Sequence, residues 1–169
     1  MADAEVPFGA IWIDSHFRES LIEAAVVAFR EVARTDVIPI SCDRASKSSD
    51  ITHRTAFIEL TFPAGRGLLA LGVSDAIAVA LARRVLAGEV SVIDGDLAAD
   101  CLGEIANVIA GHGKALLSGT DGHYVFGTPK IFAGPAPATP FGPSLDWHTL
   151  VFQSDLGEIT LRVAVVNRA

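Results

Sequence analysis

The stretch Asp100-Cys-Leu-Gly-Glu-Ile-Ala-Asn-Val-Ile-Ala-Gly-His-Gly-Lys114 divides into two faces when it is wound at about 100° per residue. Cys101, Leu102, Ile105, Val108, Ile109 and the following Leu116 gather on one side, the stripe that a helix turns toward a core. Glu104, Asn107, Gly111 and Lys114 gather on the other. A carboxylate and a carboxamide one turn apart on a rigid outward face can both reach one external cluster of atoms. Glu104 and Asn107 are therefore the candidate site residues, weighed against the plainer alternative of a solvated helix face.

Outward from this helix the boundaries are set by local signals. Asp94 or Asp96 starts it, and Gly119 and the Asp121-Gly122 pair stop it near Ser118. Upstream, Ser74 or Asp75 caps a shorter helix that ends at Gly88. Ala64-Gly65-Arg66-Gly67 reads as a tight turn into a strand over residues 68–73. Residues 55–62 alternate through Phe57, Glu59, Thr61 and their apolar neighbours as a strand does, and residues 37–42 form another. Phe17, Leu21, Ala24, Ala25, Ala28, Phe29 and Val32 place a long first helix over residues 15–34, with Asp14 or Ser15 as its cap.

Downstream, short strands are expected at residues 124–126 and 130–132. Pro135, Pro137, Pro140 and Pro143 make residues 133–146 a surface loop, because proline withholds the backbone donor that a helix or central strand needs. Residues 148–154 and 158–166 close the chain as a hairpin about Asp155-Leu156-Gly157. This order predicts a single α+β domain over residues 1–169, with a largely antiparallel sheet and long helices packed on one face. Two halves share a grammar of long helix then extended segments, the outline of an internal pseudo-repeat.

The chain is 50% hydrophobic and 20% charged, the balance of a globular protein. A formal charge of −7 argues against nucleic acid and anionic membranes, both of which reward clustered lysine and arginine. The most apolar window, residues 68–86, is broken by Asp75, Arg83 and Arg84 and is too short to span a bilayer. Met1-Ala-Asp-Ala-Glu5 lacks the basic start of a signal peptide, so the expected location is the cytoplasm. Cys42 and Cys101 show no C-x-x-C spacing and read as buried thiols of a reducing compartment.

Residues 102–114, followed by Thr128-Pro129, Gly134 and the closing hairpin, resemble the CheX branch of the CheC/CheX chemotaxis phosphatases. The likeness covers residues 57–166. It implies a CheX-like domain that hydrolyses the phosphoaspartate of a CheY-type response regulator. Asn107 would hold the attacking water and Glu104 would contact the lysine of the regulator's active site. Mg²⁺ would come with the phosphorylated partner, so no cofactor or metal of this chain's own is expected. Strands near both chain ends offer sheet edges, and the resemblance points the same way, to a homodimer. In two-site relatives the first helix bears its own E-x-x-N. Here the counterpart is Glu23-Ala-Ala-Val26, which implies one site per chain.

Two other readings compete. One is a noncatalytic response-regulator-binding module related in fold to the flagellar switch proteins, and the other is a structural dimer in which this helix face is only scaffold. His112 falls on the apolar side of the helix and reads as a core or boundary histidine, and His53, His123 and His148 as loop or strand histidines. Lys114 suits a helix C-terminus electrostatically, and the acidic row Asp96, Asp100 and Glu104 reads as solvated surface. Gly65-Arg-Gly-Leu-Leu-Ala70 matches a loose dinucleotide fingerprint without the helix that should follow, and Gly113-Lys114 lacks the glycine of a phosphate loop.

Overall fold

Three helices and seven strands make up the described part of the chain, residues 13–45, 54–63, 65–134, 145 and 147–167 of a computed structural model. Helix α1 (Ser15–Ala33) begins where the Asp14 carboxylate accepts from the Phe17 amide at 2.8 Å, and ends where Arg34 turns left-handed at φ 49°. Strands β1 (Ile38–Ala45), β2 (Arg54–Phe62) and β3 (Gly65–Val73) follow. Helix α2 (Asp75–Val85) starts with the Ser74 hydroxyl accepting from Ile77. Helix α3 (Gly95–Leu116) starts with Asp94 accepting from the Leu97 amide at 2.8 Å. Two short strands, β4 (Val125–Phe126) and β5 (Lys130–Phe132), lead to the closing hairpin of β6 (Trp147–Ser154) and β7 (Gly157–Asn167).

The strands form one antiparallel sheet in the order β1-β6-β7-β3-β2-β4, with β5 also pairing with β2. Exchanging β1 with β4, β2 with β6 and β3 with β7 reverses that order and leaves it otherwise unchanged. The pseudo-repeat is thus visible in the topology, with α1 and α3 as equivalent helices and α2 as an addition between the halves. Each half lends its outermost strand to the other: β1 pairs with β6, and β4 pairs with β2.

All three helices lie on one face, where Leu21, Ala25 and Phe29 of α1 and Leu102, Ile105 and Ile109 of α3 join Ile58, Leu60, Leu71, Phe152 and Leu161 of the sheet in one core. A smaller cluster of Phe57, Leu68, Ala70, Trp147 and Ala164 occupies the opposite face. Arg84 at the end of α2 grips Asp155 in the β6–β7 turn through two hydrogen bonds, of 2.9 and 2.5 Å, and this pairing holds the Asp155 carboxyl below the usual carboxylate range.

Three expectations change. Gly65, Arg66 and Gly67 are not a turn but the start of β3, opposite Phe62, Thr61 and Leu60. An added Cβ at Gly67 would stand 2.6 Å from the Ala164 carbonyl oxygen, so this glycine marks a close approach of backbones. Helix α2 stops at Val85, three residues before Gly88. Leu116 is exposed, because Leu117 rather than Leu116 turns to the core at the end of α3. His112 is half-exposed at the helix boundary, 3.5 Å from Glu31 of α1. Cys101 is a free buried thiol, whereas the side chain of Cys42, His53 and most of the proline-rich loop lie outside the described residues.

Candidate functional site

Glu104 and Asn107 face an open groove of about 560 Å³, bounded by α3 on one side and by Phe126, Gly127, Thr128, Pro129 and Ile131 on the other. Glu104 is exposed and Asn107 half-buried, while Ile105 and Ala106 between them point into the core. At i and i+3 on a helix their Cβ atoms stand about 5–6 Å apart. The structure thus brings the two expected residues together and adds Asp100 and Gly103 to the same rim.

The opposite wall is built by an irregularity in pairing. Phe126 lies opposite Leu60 and Lys130 opposite Phe57, so one more residue is fitted between these contacts on the β4–β5 side than on β2. The surplus residue pushes Gly127, Thr128 and Pro129 out as a bulged lip, anchored by the Gly127 amide donating to the Glu59 carbonyl at 3.0 Å. Gly103 permits the lip to come near. A Cβ there would meet Ile131 Cδ1 at 3.2 Å and Pro129 Cβ at 3.6 Å.

Behind the lip, Phe17, Phe62, Tyr124 and Phe126 form a chain of rings with centroids 5.8–6.3 Å apart. Tyr124 is almost fully buried and its hydroxyl donates to the Ala110 carbonyl of α3 at 2.8 Å, one turn beyond Asn107. The N-terminal end of α3 is held too. Arg54 donates to the Gly95 carbonyl and bridges to Asp75 at 2.7 Å. The helix is therefore fastened to the sheet side of the molecule on either side of the Glu104–Asn107 pair.

The groove is polar on the helix side and carries no histidine or cysteine. Cys101 points the other way, and burial, followed by the charges of Asp100 and Glu104, pushes its thiol up, so it stays protonated and inert at neutral pH. Lys114 lies two turns beyond Asn107 on the same side of α3 and does not line the groove. Among the described residues no three His, Cys, Asp or Glu side chains are grouped to hold a metal ion, and no helix is long and apolar enough to cross a membrane. What remains at the groove is a fixed acceptor beside a neutral group that both donates and accepts, suited to orienting an external group and a water.

Residues 54–139, just over half of the chain, match the family of the chemotaxis phosphatase CheX. The chain belongs to the CheX family. The matched region of this CheX family member contains the whole groove and none of α1. Among solved structures, a chemotaxis protein CheX from Desulfovibrio desulfuricans is similar over 89% of this chain and 99% of its own, at 18% identity and a TM-score of 0.76. The CheX of a CheX-CheY-BeF3-Mg²⁺ complex from Borrelia burgdorferi is similar over 88% and 97%, at 17% identity and a TM-score of 0.66. FliY of Thermotoga maritima is similar over 89% and 86%, at 14% identity and a TM-score of 0.62. At these identities the likeness establishes a shared fold. No curated protein sequence matches significantly.

The sequence pointed to Glu104 and Asn107 but missed the lip. Its signals were present, a glycine in the middle of a strongly periodic helix and a Thr128-Pro129 pair between two short strands. Neither names the other as its contact.

Proposed function

We propose that this chain hydrolyses the phosphoaspartate of a CheY-type response regulator, with Asn107 and Glu104 entering the regulator's active site together. The observation that carries the reading is the placement of both side chains on one rigid rim of an open groove. A phosphoaspartate is a mixed anhydride, so its hydrolysis depends on a water held in line with the scissile bond. The Asn107 carboxamide accepts from that water and donates to it while staying neutral, as the water-positioning glutamine of GTPases does. Glu104 accepts a charge-assisted hydrogen bond from the regulator's lysine and so fixes the docked register. Mg²⁺ is supplied by the partner.

The family supports this reading, and so does the Borrelia complex, in which a CheX is bound to CheY in the presence of BeF3, a stand-in for the phosphoryl group. The encounter takes place in the cytoplasm, and a second copy of the chain pairs along the outer edge of β1, where Ile38 and Ile40 are exposed. Light scattering of wild type against Ile40→Lys tests that pairing; an unchanged mass would remove it.

The deciding experiment follows loss of the phosphoryl group from a Mg²⁺-loaded, phosphorylated regulator of the same cell, with Asn107→Ala in parallel. Acceleration by the wild type and its loss in the variant, by about 100-fold or more for a misplaced water, is the expected result. The rival reading, a noncatalytic module akin to flagellar switch proteins, finds support in the likeness to FliY. It requires regulator binding with no acceleration by either protein.

A further inference from the structure

Along one side of α3 run Asp96, Asp100, Gly103, Glu104, Asn107, Gly111 and Lys114, within about 60° of Asn107 at 100° per residue. The carboxylates occupy the first half of this stripe and its one cation the last turn. Lys114 makes no ion pair among the described residues. Arg30, Arg54, Arg66 and Arg84, by contrast, are bridged to Asp36, Asp75, Glu59 and Asp155. Arg18, Arg34, Arg83 and Lys130 likewise have no ion pair among the described residues, but of these cations Lys114 is the one on the helix face that carries the candidate site, positioned for an external anion in a chain of net charge −7.

We propose that Lys114 is a specificity-determining residue that pairs with a carboxylate on the regulator, about 10 Å along the interface from the phosphoryl group. The distance follows from seven residues of helical rise between Asn107 and Lys114, at 1.5 Å each. This rests on the phosphatase reading of Glu104 and Asn107 and extends it to the partner. Two turns away, Lys114 addresses a different group from Asn107 and takes no part in the hydrolytic step. Together with Glu104 it gives the stripe an electrical direction. A regulator docked the right way sets its lysine against Glu104 and an acid against Lys114; docked in reverse it faces like charges at both ends.

A lysine in the last turn also complements the helix dipole, so the variants must separate docking from stability. Affinity for the regulator saturated with Mg²⁺ and BeF3 is measured for wild type, Lys114→Arg, Lys114→Ala and Lys114→Glu over a range of salt, alongside melting temperature and the kcat and KM of hydrolysis. Lys114→Ala should bind about three- to fivefold more weakly at low salt and Lys114→Glu about tenfold, as for a partly exposed interfacial pair. Lys114→Arg should match wild type, kcat should not move, and the differences should shrink as salt rises. An acid-to-lysine swap on the regulator at the matching distance should restore Lys114→Glu. Equal affinity of wild type and Lys114→Glu would overturn the proposal and leave Asn107 its role. Failure of the wild type to bind any phosphorylated regulator would overturn both.

Discussion

An added Cβ at Gly113 would stand 2.5 Å from the Tyr124 hydroxyl and 3.2 Å from Leu21 Cδ2, well inside contact distance. Gly113→Ala should therefore destabilise the fold by about 1–3 kcal/mol through overpacking. Tyr124→Phe removes the bond to Ala110 at a cost of about 1 kcal/mol and also frees the space that the methyl group needs. Urea unfolding of the double variant should show a loss smaller than the sum of the two; simple additivity would mean that the hydroxyl is not what excludes the methyl group. The same hydroxyl predicts an alkaline limit. Burial, partly offset by the Lys114 backbone, pushes the Tyr124 pKa well above its ordinary value. The folded state thus keeps this proton longer than the unfolded one, and the stability it contributes is complete below about pH 10 and falls as the pH climbs past that value. Tyr124 is the only tyrosine in the chain, so tyrosinate absorbance reports it alone. That absorbance should rise together with loss of the circular dichroism signal; tyrosinate in a still-folded protein would contradict the burial.

At the scale of elements, the proposed hydrolysis requires the bulged lip to stand close to α3, where Gly103 leaves room for Ile131 and Pro129. Gly103→Ala gains up to about 1 kcal/mol of helix propensity, which offsets most of the crowding against Ile131 and Pro129. Little change in melting temperature is expected, with a fall of about tenfold or more in kcat/KM as the lip is displaced across the groove. A variant that loses stability but keeps its activity would assign Gly103 to packing alone. The helices were legible in the sequence because cap and period agree: Asp14, Ser74 and Asp94 each accept from the amide three residues on, ahead of a 3.6-residue apolar repeat. Gly65 to Gly67 misled because glycine serves two ends, a turn or a backbone too close for a side chain, and only the position of β7 reveals which. Glu104 and Asn107 were legible for a local reason, their shared helix face. The lip was not, since the bulge exists only in the register of β4 and β5 against a strand some seventy residues earlier.

Across the whole molecule the pseudo-twofold sets Glu23-Ala-Ala-Val26 of α1 against Glu104-Ile-Ala-Asn107 of α3, and the two quartets share one burial pattern: exposed, buried, buried, half-buried. The equivalents of Gly103 and Gly111 on α1 are Ile22 and Arg30, too bulky for a lip to settle on. Val26→Asn in an Asn107→Ala background should therefore fail to restore phosphoryl loss; recovery to even a tenth of the wild-type rate would show that the amide alone makes a site. The exchange of outer strands has a further consequence for how the chain is made. As it leaves the ribosome, the first half holds β1 but not the strand that receives it, since β6 lies more than a hundred residues downstream. The nascent protein carries that strand with its backbone donors and acceptors unpaired through most of its synthesis, and pairs one edge of it only when the final hairpin emerges. Completion of the sheet is thus a late step, and until then an unpaired strand relies on chaperones or on the speed of translation for its safety.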